Sequence, residues 1–285
     1  MDDERISLAL AAEGADDARW AFGTGFTDPL HGVPTAVPEG VDSDQLAQVC
    51  IALGDDALVT AQRLAQWCTD APELEQELAL ANIGLDLLGQ ARLLYARAGQ
   101  ADGSGRDEDA FAYERDAEDF CNLRLAELPR GDFAFDMVRL LSLATWRLAL
   151  LTQLTTAADP VLAAIAAKGI RELEYHRQFA AEWVVRLGDG TAQSRRRTRQ
   201  ALIDVSPWLD ELAEDPLAAA FGADSGRVAA TLWTVLRQTT EAAGLELPTP
   251  RARPGSGRAR EHTEHLAPLL AELQSVARQH PGARW

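Results

Sequence analysis

The stretch 72–99, PELEQELALANIGLDLLGQARLLYARAG, is the feature that most narrows what this chain can fold into. It is a long helix-forming run, and between Leu78 and Leu88 it is apolar on nearly every side, interrupted only by Asn82 and Asp86. A helix that is hydrophobic all round needs neighbours all round. The stretch therefore predicts a central position among other long helices.

Those neighbours are legible on either side. From Asp44, the residues Leu46, Val49, Cys50, Leu53, Ala57, Ala61, Leu64 and Trp67 step by three and four, the spacing of one apolar helical face. A helix is expected over 114–128, stopped by Pro129, after which Asp132 caps the run FAFDMVRLLSLATWRLALLTQLTTA. Asp159 followed by Pro160 is an N-cap with proline at the first helical position, opening a helix that runs to Leu187 before Gly188-Asp189-Gly190. Four helices of about 25 residues, at ~1.5 Å per residue, each reach roughly 37 Å, which is four-helix-bundle length. Beyond residue 190 the spacing predicts shorter helices over 194–214, interrupted by Pro207, over 225–243 and over 262–279, with a Pro/Gly/Arg loop at 247–257. No strand-like alternation persists, so the class is all-α.

The domain reading is an irregular arm over 1–43 and one helical domain over 44–285, with a core bundle at 44–187 and C-terminal helices over 191–285. Glycine and proline clusters break any period in the arm, where Trp20, Phe22 and Phe26 could pin it to a surface.

With 285 residues and 47% hydrophobic content the chain can bury one large core. Its net charge of −17 speaks against phosphate-tracking nucleic-acid binding and against docking on an anionic membrane. The acidic start MDDERISLAL does not read as a signal peptide, and no stretch reaches the ~18 apolar residues of a span. The expectation is a cytoplasmic protein. Cys50, Cys68 and Cys121 form no CxxC and are expected as reduced core thiols.

One segment suggests metal chemistry. RELEYHRQ, at 171–178, puts Glu172 and His176 four residues apart, ~40° apart on the helical wheel, so both can face one site. Bundle di-iron sites take one glutamate from each of two helices and a Glu-x-x-His pair from each of the other two. Between residues 44 and 187 His176 is the one histidine, and the helix that should supply the second pair offers Asn82 and Asp86 instead. The expectation is a vestigial site: Asn82, Asp86, Glu172, Tyr175 and His176 in a buried polar cluster, with His176 paired to Asp86 or Glu172 in place of metal. The competing reading is a ferritin-like di-iron oxygenase chain with an unorthodox site built from the same residues. EHTEH at 261–265, with His262 and His265, resembles a clustered metal motif but reads equally as a capped helix start around Thr263. SRRRTR at 194–199 offers a surface for an acidic partner or acyl-carrier phosphates, or a plain solvated run.

The blocks APELEQELALANIGLDLLGQARLLY, RDAEDFCNLRLAELPRGDFA, DPVLAAIAAKGIRELEYH and HTEHLAPLLAELQ, taken in order over residues 44–285, resemble the PaaC family, the C component of the bacterial phenylacetyl-CoA epoxidases. The resemblance implies a ferritin-like four-helix bundle with added C-terminal helices and a structural role. It implies no catalytic, cofactor or metal residues in this chain. The di-iron centre and substrate pocket would lie in a homologous catalytic partner, the A component, with a small bridging B component and a reductase carrying FAD, an iron-sulfur cluster and NADPH. A homodimer is the expectation for the chain alone. The arm 1–43 and the loop PTPRARPGSGRARE depart from the family pattern.

Overall fold

Three aspartates set where long helices begin. The side chain of Asp42 accepts the N–H of Gln45 and opens α1, Ser43–Ala65. Asp132 accepts from Phe135 and opens α5, Phe133–Leu154, and Asp159 accepts from Leu162 and opens α6, Pro160–Gly188. Each thereby satisfies one of the amide donors a helix start leaves free. The fourth long helix, α2, Leu74–Ala101, starts after a turn in which Thr69 has a positive φ. These come from a computed structural model, which describes residue 30 and residues 32–250 and 253–283. Trp20, Phe22 and Phe26 lie outside the described residues.

The four helices pair as hairpins, α1 on α2 and α5 on α6, and α2 meets α6 across the bundle. Trp67 Nε1, just past α1, donates to Asp136 Oδ2 near the start of α5, so these ends share one end of the bundle. Arg97, near the end of α2, donates to both carboxylate oxygens of the cap Asp159 at the opposite end. The chain between α2 and α5 must therefore cross the bundle's full length, the single long crossover of ferritin-like topology.

The crossover is not the continuous helix that its sequence suggests over 114–128. It is broken into α3, Glu108–Tyr113, a 3-10 turn at Ala117–Asp119, and α4, Arg124–Glu127. The physical reason lies in α1. Asp55 Oδ2 accepts the N–H of Cys121 and Asp56 Oδ1 that of Leu123, at 2.8 Å each, so the amides a helix would use internally are drawn onto buried carboxylates. Asp55 also holds Arg115 and the Tyr95 hydroxyl.

After α6 come α7, Ala192–Val205, a 3-10 turn at Ser206–Trp208 containing Pro207, α8, Leu209–Ala213, α9, Leu217–Ala220, and α10, Ser225–Ala242. The last helices are α11, Leu266–Leu273, and α12, Ser275–Gln279, so the final helix begins later than the expected 262 and is split. The described part of the arm lies on the bundle, with Val33, Val37 and Val41 packed on the core and Thr35 accepting from Arg97 Nη1. Cys50 is buried as expected, whereas Cys68 is exposed and Cys121 half-buried. No strand occurs among the described residues, and no helix among them is long and apolar enough to cross a membrane.

The reading of α2 as covered on every side is corrected. Leu80, Ile83, Leu87 and Leu94 are buried, but Leu74 is 65% exposed, Leu78 56%, Leu85 64% and Leu88 38%. At ~100° per residue these four leucines fall in an arc of about 80°, opposite the core-facing row. The chain's own bundle covers one apolar face of α2 and leaves the other open.

Candidate functional site

The sequence-derived residues Asp86, Glu172 and His176 meet at the α2–α6 seam. His176 Nε2 lies 3.0 Å from Asp86 Oδ2. A carboxylate only accepts, so the imidazole carries its proton on Nε2. Of the two acids the spacing offers, the partner is Asp86. Glu172 instead accepts from Gln90 Nε2 at 2.8 Å, and the same amide's Oε1 accepts from Arg147 Nε at 2.9 Å. Arg147 Nη1 donates to the Leu53 carbonyl at 3.0 Å. The amide of Gln90 can thus serve a carboxylate with its N–H and a guanidinium with its oxygen, which no single charged side chain could do.

Two expected members fall outside this cluster. Asn82 and Tyr175 are exposed, because Asn82 flanks the open face of α2 and Tyr175 points past the seam at 48% exposure. Two members of the cluster are absent from the sequence-derived set. Gln90 and Arg147 sit in strongly apolar helices, and the one available signal is that a charge such as Arg147, in the midst of SLATWRLALL, needs a buried partner.

Electrostatics follow from burial. Burial lowers the Arg147 guanidinium to about 10, opposed by the carboxylate of Asp56. Burial raises the Glu172 carboxyl, aided by the charge of Asp86 and opposed by its bond to Gln90.

A second buried network lies alongside. Arg258 donates to Asp56 Oδ2 at 2.7 Å and to Asp215 Oδ2 at 2.8 Å, and its Nη1 donates to the Cys121 carbonyl at 2.7 Å. Its pKa is raised: burial works against the charge, and the carboxylates of Asp215 and Asp56 outweigh it. This arginine comes from the Pro/Gly/Arg loop ahead of α11. Gly257 beside it passes so close to the crossover that a Cβ would stand 1.9 Å from the Asn122 carbonyl oxygen.

The remaining candidates have structural partners. His262 Nε2 donates to the Phe120 carbonyl at 2.8 Å, and its Nδ1 lies 3.5 Å from Glu127 Oε1. Thr263 accepts the N–H of His265, forming a turn ahead of α11 rather than its cap. In the 194–199 run, Arg195 is tied to the Gly188 and Gly244 carbonyls, while Arg196 and Arg199 are exposed.

The donor set does not fit a di-iron centre. Such a centre needs two imidazoles and several free carboxylates, and here the one imidazole at the seam is bonded to Asp86 while Glu172 is bonded to Gln90. A guanidinium stands between the helices, where it would repel a dication. Among the described residues no group of three or more His, Cys, Asp or Glu is placed to hold a metal ion.

Fold and seam together define a ferritin-like helical bundle whose centre is filled by charged and amide side chains and which, among the described residues, leaves an apolar face of α2 uncovered. Residues 33–285 match the family model described as phenylacetic acid catabolic protein, and the chain belongs to that family. It is similar to the C component of the 1,2-phenylacetyl-CoA epoxidase of Escherichia coli (strain K12), with 42% identity over 259 residues, covering 85% of this chain and all of that protein.

Proposed function

We propose that this chain is a non-catalytic structural component of a 1,2-phenylacetyl-CoA epoxidase, acting in aerobic phenylacetate catabolism. Its partner is a homologous helical chain that carries the di-iron centre and the substrate. The observation that carries the reading is the leucine face of α2. Of the seven large apolar side chains exposed on the described surface, four are Leu74, Leu78, Leu85 and Leu88, all on one side of one helix. A contiguous apolar stripe of this kind marks an interaction site. A helix of 28 residues, roughly 42 Å long, offers a docking edge that a second bundle of the same build can match along its length.

The closed seam supports the non-catalytic half of the reading. The side chains that a metal would need are already spent on one another: Asp86 on His176, and Glu172 on Gln90. This arrangement holds α2 against α6.

The test is reconstitution with the homologous catalytic chain. The expected result is a stable complex in which iron is bound by the partner, with epoxidation of phenylacetyl-CoA requiring both chains. Two irons per copy of this chain after reconstitution, or epoxidation by this chain alone, would overturn the proposal.

A further inference from the structure

Between the four long helices lies a small, partly open cavity of about 20 Å³, whose largely apolar wall includes Asp56 and Thr60 of α1, Leu87 of α2, Trp146 and Arg147 of α5, and His176 of α6. All four helices contribute to it. A cavity holds a water when it offers roughly 10–15 Å³ for the water's centre and two or more polar partners. The size is right for one water and too small for an organic ligand.

The partners are present. Arg147 Nη2 and His176 Nδ1 are both buried and bonded to no protein atom, and both belong to residues of this wall. Their other polar atoms are engaged: Arg147 through Nε and Nη1, and His176 through Nε2. In the neutral imidazole, whose one proton on Nε2 points to Asp86, Nδ1 is an acceptor, while Nη2 of the guanidinium can only donate. A donor and an acceptor left over in one wall call for a molecule that both accepts and donates. Water does so, and a halide, which only accepts, does not.

We propose that this cavity is a built site for one ordered water, which accepts from Arg147 Nη2 and donates to His176 Nδ1. The side chains of Asp56 and Thr60 lie in the same wall to receive its second hydrogen. The water joins an otherwise separate pair and trio into one chain, running from Asp86 through His176, the water, Arg147 and Gln90 to Glu172. The bundle axis is thus filled by a guanidinium and a water, bonded to side chains from three helices.

The experiment is a crystal structure of the full chain at a resolution that places single waters, with a parallel bromide soak read by anomalous scattering. The expected result is a full-occupancy peak within about 3.2 Å of both Arg147 Nη2 and His176 Nδ1, with no anomalous signal there. A dry cavity, a peak touching only one of the two nitrogens, or bromide at the site would each overturn the proposal.

Discussion

Arg258 and Asp56 stand 202 positions apart in the chain and 2.7 Å apart in the fold. The guanidinium spans Asp56 and Asp215 and reaches the Cys121 carbonyl, so it pins the C-terminal loop, helix α1 and the crossover to one point. Removing one member of such a group leaves the others charged and dry, which costs about 3–5 kcal/mol. Arg258→Leu is therefore expected to lower unfolding stability by about that amount in guanidinium titrations. The triple variant Arg258→Leu, Asp56→Asn, Asp215→Asn, which neutralises both carboxylates that Arg258 would strand but also takes the Asp56 charge from Arg147, is expected to recover part of it. A single variant within about 1 kcal/mol of the natural protein would show that the triad does not clamp these segments.

The open face of α2 makes a different forecast, because among the described residues Leu78 and Leu85 are more than half exposed and lie outside the buried core. Burying the exposed part of each of these leucines, somewhat over half of the side chain, contributes roughly 1–2 kcal/mol, so a pair is worth at least about twentyfold in affinity. Leu78→Asp with Leu85→Asp is expected to leave the circular dichroism and melting of the isolated chain unchanged. The same variant should fail to co-purify with the homologous catalytic chain. Unchanged association would mean that the partner docks elsewhere.

The case of α2 also shows how far the sequence carries. Periodicity and the caps at Asp132 and Asp159 place four long helices correctly, because each cap acts within one helical turn of itself; the cap Asp42 is added by the structure. Periodicity is silent on what covers an apolar face, so the exposed Leu78 and the buried Ile83 look alike in a string of letters. The crossover misleads for a related reason: its helix is broken by Asp55 and Asp56, more than sixty residues away. At the seam, Asp86, Glu172 and His176 are legible from type and spacing. Gln90 and Arg147 are not, since their role exists only once α2, α5 and α6 are brought together.

His262 gives stability a dependence on pH. Burial opposes its charge, but Glu127 and the Phe120 carbonyl outweigh burial and raise its pKa above the ordinary 6.5. A raised folded-state pKa means that the fold binds the proton more tightly than the unfolded chain does. The stabilisation is therefore fully present below about pH 6.5 and is lost as pH rises through the folded value. Unfolding titrations at pH 6 and pH 8 should show a drop attributable to this residue, and His262→Gln should flatten that part of the profile. An equal drop in the variant would assign the pH dependence to other groups.

Glu172→Gln separates a seam residue from a metal ligand. In the seam, Glu172 accepts one bond from Gln90 Nε2, and a glutamine oxygen can accept the same bond. Burial and the nearby Asp86 charge already disfavour the ionised carboxylate, so removing the charge relieves an unfavourable contact instead of breaking a favourable one. The variant is expected to match or slightly exceed the natural chain in stability, within about 1 kcal/mol, and to assemble normally. A complex built with it should epoxidise phenylacetyl-CoA at the natural rate. Were Glu172 a ligand to a working metal, replacing its carboxylate by an amide would cut turnover by orders of magnitude while leaving assembly intact. That pattern, intact complex with lost turnover, is the outcome that would return the chemistry to this chain.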